Sequence, residues 1–152
     1  MGRVPDCGRA VMLRGVDPAI SPDLLYILAQ MGHGDELVVA DRNFPSYRVG
    51  QRVVDARGYD APKMVAAVCS LLPLDVAVDQ PVLRMATTKG PDDIPPVHAD
   101  VIAAVQGHLA PEQSVGTVER FAFYDRAASA FAVVVTGEQR PFGDFVLVKG
   151  VL

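Results

Sequence analysis

The run Leu37-Val38-Val39-Ala40 leaves no polar residue on either side of an extended chain. A strand with one wet face alternates apolar and polar residues, so an unbroken run of this kind needs cover on both faces. That requirement favours a sheet packed between layers of helix over a sandwich or a helical bundle. Helical and extended signals do alternate along the rest of the chain. Ser21 is a good N-cap, Pro22 suits the first helical turn, and Leu24, Leu25, Ile27, Leu28 and Met31 share one helical face. Gly32 stands where a helix often ends in a left-handed residue. After the strand at residues 37–40 the pattern predicts a short strand over 52–55. A helix capped by Asp60 then runs to Leu72, stopped by Pro73, and a strand follows over 82–87. Further on it predicts a helix over 97–106, a short strand over 117–119, a helix over 121–128, and strands over 131–136 and 145–149. The expected architecture is α/β, a single three-layer domain with a central, mostly parallel sheet flanked by helices. It occupies residues 13–152, behind a loose polar leader at 1–12.

Composition narrows the function classes. Half of the 152 residues are apolar and the formal net charge is −4, with no run of Lys or Arg. A non-specific nucleic-acid binder needs a basic stripe to neutralise phosphates, so no nucleic-acid partner is expected. No apolar run is long enough to span a bilayer, and the first ten residues lack the apolar centre of a signal peptide. Cys7 and Cys69 make no Cys-x-x-Cys pair and no disulfide framework, which fits a cytoplasmic protein. Phosphate-loop, dinucleotide and nucleophile-elbow patterns are all missing, and the glycines at 137 and 143 flank no Gly-Lys-Ser or Gly-Lys-Thr.

Three places could carry chemistry. His33 stands between two glycines in Gly32-His33-Gly34-Asp35, where its ring is not packed by sequence neighbours and can face a cleft. Imidazole gives and takes protons near neutral pH. A surface turn whose His simply faces a helix C-terminus reads the same way locally. Asp41 ends the strand that follows, and in open α/β sheets ligands bind beyond the carboxyl ends of strands. Arg120 and Tyr124 lie at a strand-to-helix junction and could hold the hydroxyls of a polyol, or form only a surface pair with a half-buried Tyr. His98 and His108 lie ten positions apart with no Cys or second His beside either, so a metal site is not indicated. His98 is expected to be exposed and His108 to sit near a helix C-terminus.

Several ordered segments resemble the L-fucose mutarotase and D-ribose pyranase family, and the fucose branch more closely. These are Ile20-Ser21-Pro22-Asp23-Leu24-Leu25, Met31-Gly32-His33-Gly34-Asp35-Glu36, Ala40-Asp41-Arg42-Asn43-Phe44-Pro45 and Leu71-Leu72-Pro73-Leu74-Asp75. They continue in residues 119–127 (Glu119-Arg120-Phe121-Ala122-Phe123-Tyr124-Asp125-Arg126-Ala127), in 131–134 with Thr136-Gly137-Glu138, and in Lys149-Gly150-Val151. The resemblance implies an isomerase that interconverts the anomers of L-fucose or a related reducing sugar without a cofactor. It implies His33 as the proton donor, with Asp41, Asp75, Arg120 and Tyr124 around the sugar. It also implies a homo-oligomer, a dimer or a ring-based decamer, with sites near subunit borders. Ribose-type pyranose–furanose interconversion and a non-catalytic sugar-binding module are the alternatives. One motif departs: the family's Tyr-Gly-Asn reads Phe142-Gly143-Asp144 here. Phe142 has no hydroxyl, and an ionised Asp144 would only accept where Asn also donates.

Overall fold

A computed structural model describes residues 12–152. Most of the expected leader, with Cys7, lies outside the described residues; Met12 and Leu13 are exposed. In chain order the elements are α1 (Pro22–Gln30), β1 (Glu36–Ala40), α2 (Ser46–Val49), β2 (Val53–Ala56), α3 (Ala61–Cys69), β3 (Val82–Met85), α4 (Pro96–Val105), β4 (Val115–Val118), α5 (Arg120–Ser129), β5 (Ala132–Thr136) and β6 (Phe145–Val148). A single 3-10 turn, Gln106–His108, follows α4.

The six strands form one sheet in the order β2-β5-β1-β6-β3-β4. Five run parallel, as expected; β6 alone runs antiparallel, between β1 and β3. The link over residues 137–144 explains this. A parallel return needs a crossover of a dozen residues or more, whereas a short loop suffices for an antiparallel one. Because β6 runs the opposite way, its first residues lie beside the last residues of β1 and β3, with Phe145 opposite both Val39 and Arg84.

Strand alternation sorts the core into two. Leu37 and Val39 of β1, Ala132 and Val134 of β5, and Phe145 and Leu147 of β6 face one way. They pack with Leu24, Ile27 and Leu28 of α1 and with the apolar faces of α3 and α4. Val38, Ala40, Val133 and Val146 face the other way, onto Phe123 and Ala127 of α5 and onto Phe44. Both parities of β1 are therefore buried, which accounts for its unbroken apolar run. Burying a side chain such as Leu24 contributes about 1.5–3 kcal/mol. Arg126 of α5 reaches Glu36 at the start of β1 (Nε to Oε2, 2.8 Å) and fixes that helix on the second face.

The caps expected at Ser21 and Asp60 form, and Glu119 adds one that was not singled out. The Ser21 hydroxyl accepts from the Leu24 amide, Asp60 from Lys63, and Glu119 from Phe121 and Ala122. Two details differ. Helix α1 ends on an extended Met31, and the left-handed glycine is Gly34, not Gly32 (φ 84°). Helix α3 stops at Cys69, and Leu71 and Leu72 form a looser turn before Pro73. His98 is fully buried on α4, against expectation, because Arg84 of β3 points into the same layer and takes its ring as a polar partner.

Candidate active site

The expected site residues gather at opposite edges of the sheet. At the edge where the parallel strands begin, the turn holding His33 is tied down on both sides. The Gly32 amide donates to Asp35 Oδ2 (2.7 Å), the Gly34 amide to the Lys149 carbonyl (2.8 Å), and the Lys149 amide to the Asp35 carbonyl (2.9 Å). Gly34 takes a positive φ that a side chain would oppose. The neighbouring loop brings in Asp75, whose own amide bonds the Val148 carbonyl (3.0 Å). Its approach is close enough that a Cβ on Gly150 would meet the Leu74 carbonyl and Asp75 Cα at 2.7 Å. The segments 71–75 and 149–151 are thus two halves of one brace.

On that brace His33 Nε2 lies 3.2 Å from Asp75 Oδ2. The His33 side chain is half exposed, while that of Asp75 is buried. A hydrogen bond from the Ala77 amide and the His33 contact hold the Asp75 carboxyl below the ordinary carboxylate range. Asp75 is therefore an acceptor that fixes the ring and its tautomer, leaving Nδ1 for proton chemistry. Asp75, expected beside the sugar, lies within this subunit against His33.

At the other edge, where β1 and β3 end and β6 begins, a cavity of about 260 Å³ opens. Asp41, Asn43, Phe44, Met85, Arg120, Tyr124, Pro141, Phe142 and Asp144 line it. Asp41 Oδ1 accepts from the Asn43 and Phe44 amides, both at 2.9 Å, which holds its carboxylate at the strand end. The Asp41 amide donates to Asp144 Oδ1 (2.9 Å), and the Met85 amide to the Asp144 carbonyl (3.1 Å). Asp144 therefore bridges the two strand ends that β6 separates. From α5, Arg120 Nε and Nη2 each approach the Tyr124 hydroxyl at 3.4 Å, and the Tyr124 ring packs on Phe44 (centroids 5.3 Å apart). Donors and acceptors around an aromatic wall suit a polyol.

Burial, and then the charge of Asp41, push the Asp144 carboxyl well above the ordinary carboxylate range. In its neutral form it carries one O–H donor beside an acceptor oxygen, one donor fewer than an amide. A protonated Asp144 would keep one of the donors that an amide offers, whereas an ionised one only accepts. Phe142 does lack the hydroxyl, and its ring lines the cavity from a turn with φ 61°.

Asn43, Phe44, Met85 and Pro141 were not singled out from sequence. Asn43 and Phe44 fall inside the segment that carries Asp41, and Met85 ends a parallel strand, the position that marked Asp41. Nothing in the sequence flags Pro141. His108 sits in the 3-10 turn after α4, near the helix end as expected. Among the described residues no group of three or more His, Cys, Asp or Glu is placed to hold a metal ion. None of the described helices is long and apolar enough to cross a membrane.

Comparison with known proteins bears on the family and the fold. The L-fucose mutarotase of Actinobacillus pleuropneumoniae is 41% identical over 140 residues, covering 92% of this chain and 97% of that protein. The crystal structure of the fucose mutarotase from Streptococcus pneumoniae in complex with L-fucose superposes with a TM-score of 0.85 at 36% identity, covering 92% of this chain and 99% of that one. RbsD of Bacillus subtilis, solved with D-ribose, shares the fold (TM-score 0.70, 22% identity, 88% and 95% covered). Residues 14–152 match the profile of the RbsD / FucU transport protein family, and the chain belongs to that family.

Proposed function

We propose that this protein is a sugar mutarotase that interconverts the α and β anomers of L-fucose or a close relative. The observation that carries the reading is the Asp41 cavity, with Arg120 and Tyr124 from α5 at its side, in a chain 41% identical to an L-fucose mutarotase over 92% of its length. The higher identity to fucose mutarotases than to RbsD supports a fucose-type substrate over a ribose-type one.

The chemistry asks little of the protein. A proton leaves the anomeric hydroxyl and another reaches the ring oxygen, the hemiacetal opens to the aldehyde, C1 turns, and closure on its other face reverses both transfers. No redox step occurs. A positioned acid–base group contributes typically about 10²–10⁴-fold, enough for a reaction that already proceeds in water. His33, oriented by Asp75, is the proton carrier in this scheme. Asp41 accepts from sugar hydroxyls, and Arg120 and Tyr124 supply donors to them.

The two groups do not meet within one subunit. The five residues of β1 separate them, about 17 Å at the usual rise per strand residue. The reading therefore includes a homo-oligomer in which the His33 edge of one copy closes the Asp41 cavity of another. It also includes a cytoplasmic location, supported by a cysteine content too low for a disulfide framework. Exchange NMR on a panel of reducing sugars tests the activity. Enzyme-dependent exchange between the anomers of fucose is expected, and a protein that accelerates exchange for no sugar of the panel refutes it.

A further inference from the structure

Arg84 and His98 take no part in the proton transfer above, yet both are buried at 6% and 0% exposure. We propose that they form a positioning relay that sets the Phe142 wall of the cavity and so selects the sugar it accepts; this rests on the reading of the cavity as a sugar site.

The relay starts on β3. Arg84 Nη1 donates to the Asp93 carbonyl (2.8 Å) and Nη2 to the Pro91 carbonyl (2.8 Å), which anchors the guanidinium in the loop between β3 and α4. Nη1 also lies 3.1 Å from His98 Nδ1. Guanidinium only donates, so Nδ1 must accept, and the ring is neutral with its proton on Nε2. Nε2 then donates to the Phe142 carbonyl at 2.7 Å. The imidazole and the Phe145 ring pack in a T-shape with centroids 5.5 Å apart, which restrains the imidazole plane.

Phe142 is the one non-glycine residue with positive φ among the described residues. A phenylalanine holds that conformation only when its surroundings impose it, and such residues gather at functional sites. The bond from His98 is an imposing contact, and the ring it places lines the cavity beside Asp41 and Asp144. Phe142 can neither donate nor accept a hydrogen bond through its ring, so its exact placement decides which sugar hydroxyl finds no partner.

Burial more than the charged groups around the relay disfavours a proton on His98 Nδ1. Burial first, and then Arg84, lower its proton affinity, against Asp93 and the Phe142 bond. Asp93 and Asp92 face Arg84, and Arg140, two residues before Phe142, is satisfied by Glu138 and Asp100. A proton on Nδ1 would remove the acceptor and set a second cation against Arg84. The wall should therefore loosen on the acid side.

The test uses the intact protein with His98→Leu and His98→Gln, whose amide can both accept from Arg84 and donate to Phe142. Exchange NMR gives KM and kcat for each sugar of a panel as a function of pH, and ¹⁵N NMR of the imidazole reports the His98 tautomer. The relay predicts an Nε2–H tautomer. It predicts for His98→Leu a KM higher by about tenfold for the preferred sugar, with kcat little changed and preference across the panel flattened. His98→Gln should keep the preference and lose the acid-side rise in KM. A proton on Nδ1, a His98→Leu enzyme with unchanged KM for every sugar, or the same acid-side rise in wild type and His98→Gln overturns the proposal. Should His98→Leu not fold, the tautomer and the His98→Gln profile decide it. A wild-type protein that neither binds nor exchanges any sugar refutes instead the mutarotase reading on which the relay's role rests.

Discussion

Replacing Asp144 by Asn should stabilise the protein, and by more as the pH rises. Asp144 is 3% exposed, accepts from the Asp41 amide, and feels the charge of the Asp41 side chain. Burial first, and the Asp41 charge second, raise its proton affinity in the folded state. In the unfolded chain it titrates near the ordinary value of about 3.9. Above that pH the unfolded state has lost the proton that the folded state still holds. Wild-type stability therefore falls as pH rises from the unfolded value to the folded one, and levels off beyond it. The slope is about 1.4 kcal/mol per pH unit for one such group. Asn has no proton to lose, and its amide donates in the same place. The two proteins should be close in stability below about pH 4 and separate above it, by about 2–4 °C in Tm for each kcal/mol at this chain length. Thermal or urea unfolding of both, across that range and at fixed protein concentration, makes the comparison. A stability difference that does not change with pH, or one that shrinks as pH rises, refutes the reasoning.

Three further substitutions probe the two edges. Asp41→Ala removes a charge-assisted hydrogen bond worth about 1.5–3 kcal/mol, so calorimetric titration should show sugar affinity down roughly tenfold or more; unchanged affinity would take Asp41 out of the site. His33→Asn should lower the exchange rate by about 10²–10⁴ with circular dichroism unaltered, and a folded variant at full rate would end the assignment. Phe142→Tyr restores a hydroxyl at the cavity wall and should raise fucose turnover relative to sugars that differ at one hydroxyl, as read by exchange NMR; an unaltered ranking would mean that the ring only packs.

The sheet was legible because its strands are buried on both faces, so Leu37–Ala40 and Ala132–Thr136 carry the signal in composition alone. Caps were legible because Ser21 and Asp60 act on amides three residues away. His98 was misread as exposed because its burial depends on Arg84, fourteen residues earlier on another element, and no local pattern reports such a pair. Asp144 shows the same limit in its chemistry. It reads as an ordinary carboxylate, and only the strand ends that converge on it show the burial and the neighbouring Asp41 that raise its proton affinity. Asp75 was placed in the site by motif, but its contact with His33 was not legible, because it depends on the Gly150 approach that brings the two loops together.

The separation of His33 from Asp41 along β1 leads to a prediction that a one-subunit site cannot share. If each active site takes its His33–Asp75 pair from one copy and its Asp41 cavity from another, His33→Asn and Asp41→Ala damage different halves of it. Each variant alone has every site broken. In an equal mixture whose subunits have exchanged, an Asp41→Ala copy brings an intact His33 to the intact cavity of a His33→Asn copy. Random pairing makes about a quarter of the sites whole, for a two-fold dimer and for a ring alike. Mixing after mild dissociation, followed by exchange NMR on fucose, should therefore recover activity that neither variant has. Mass spectrometry on tagged subunits confirms that exchange took place. Mixed oligomers that remain inactive would show that His33 does not complete a neighbour's cavity. A protein that is monomeric by light scattering yet fully active would show that the two edges need not be joined at all.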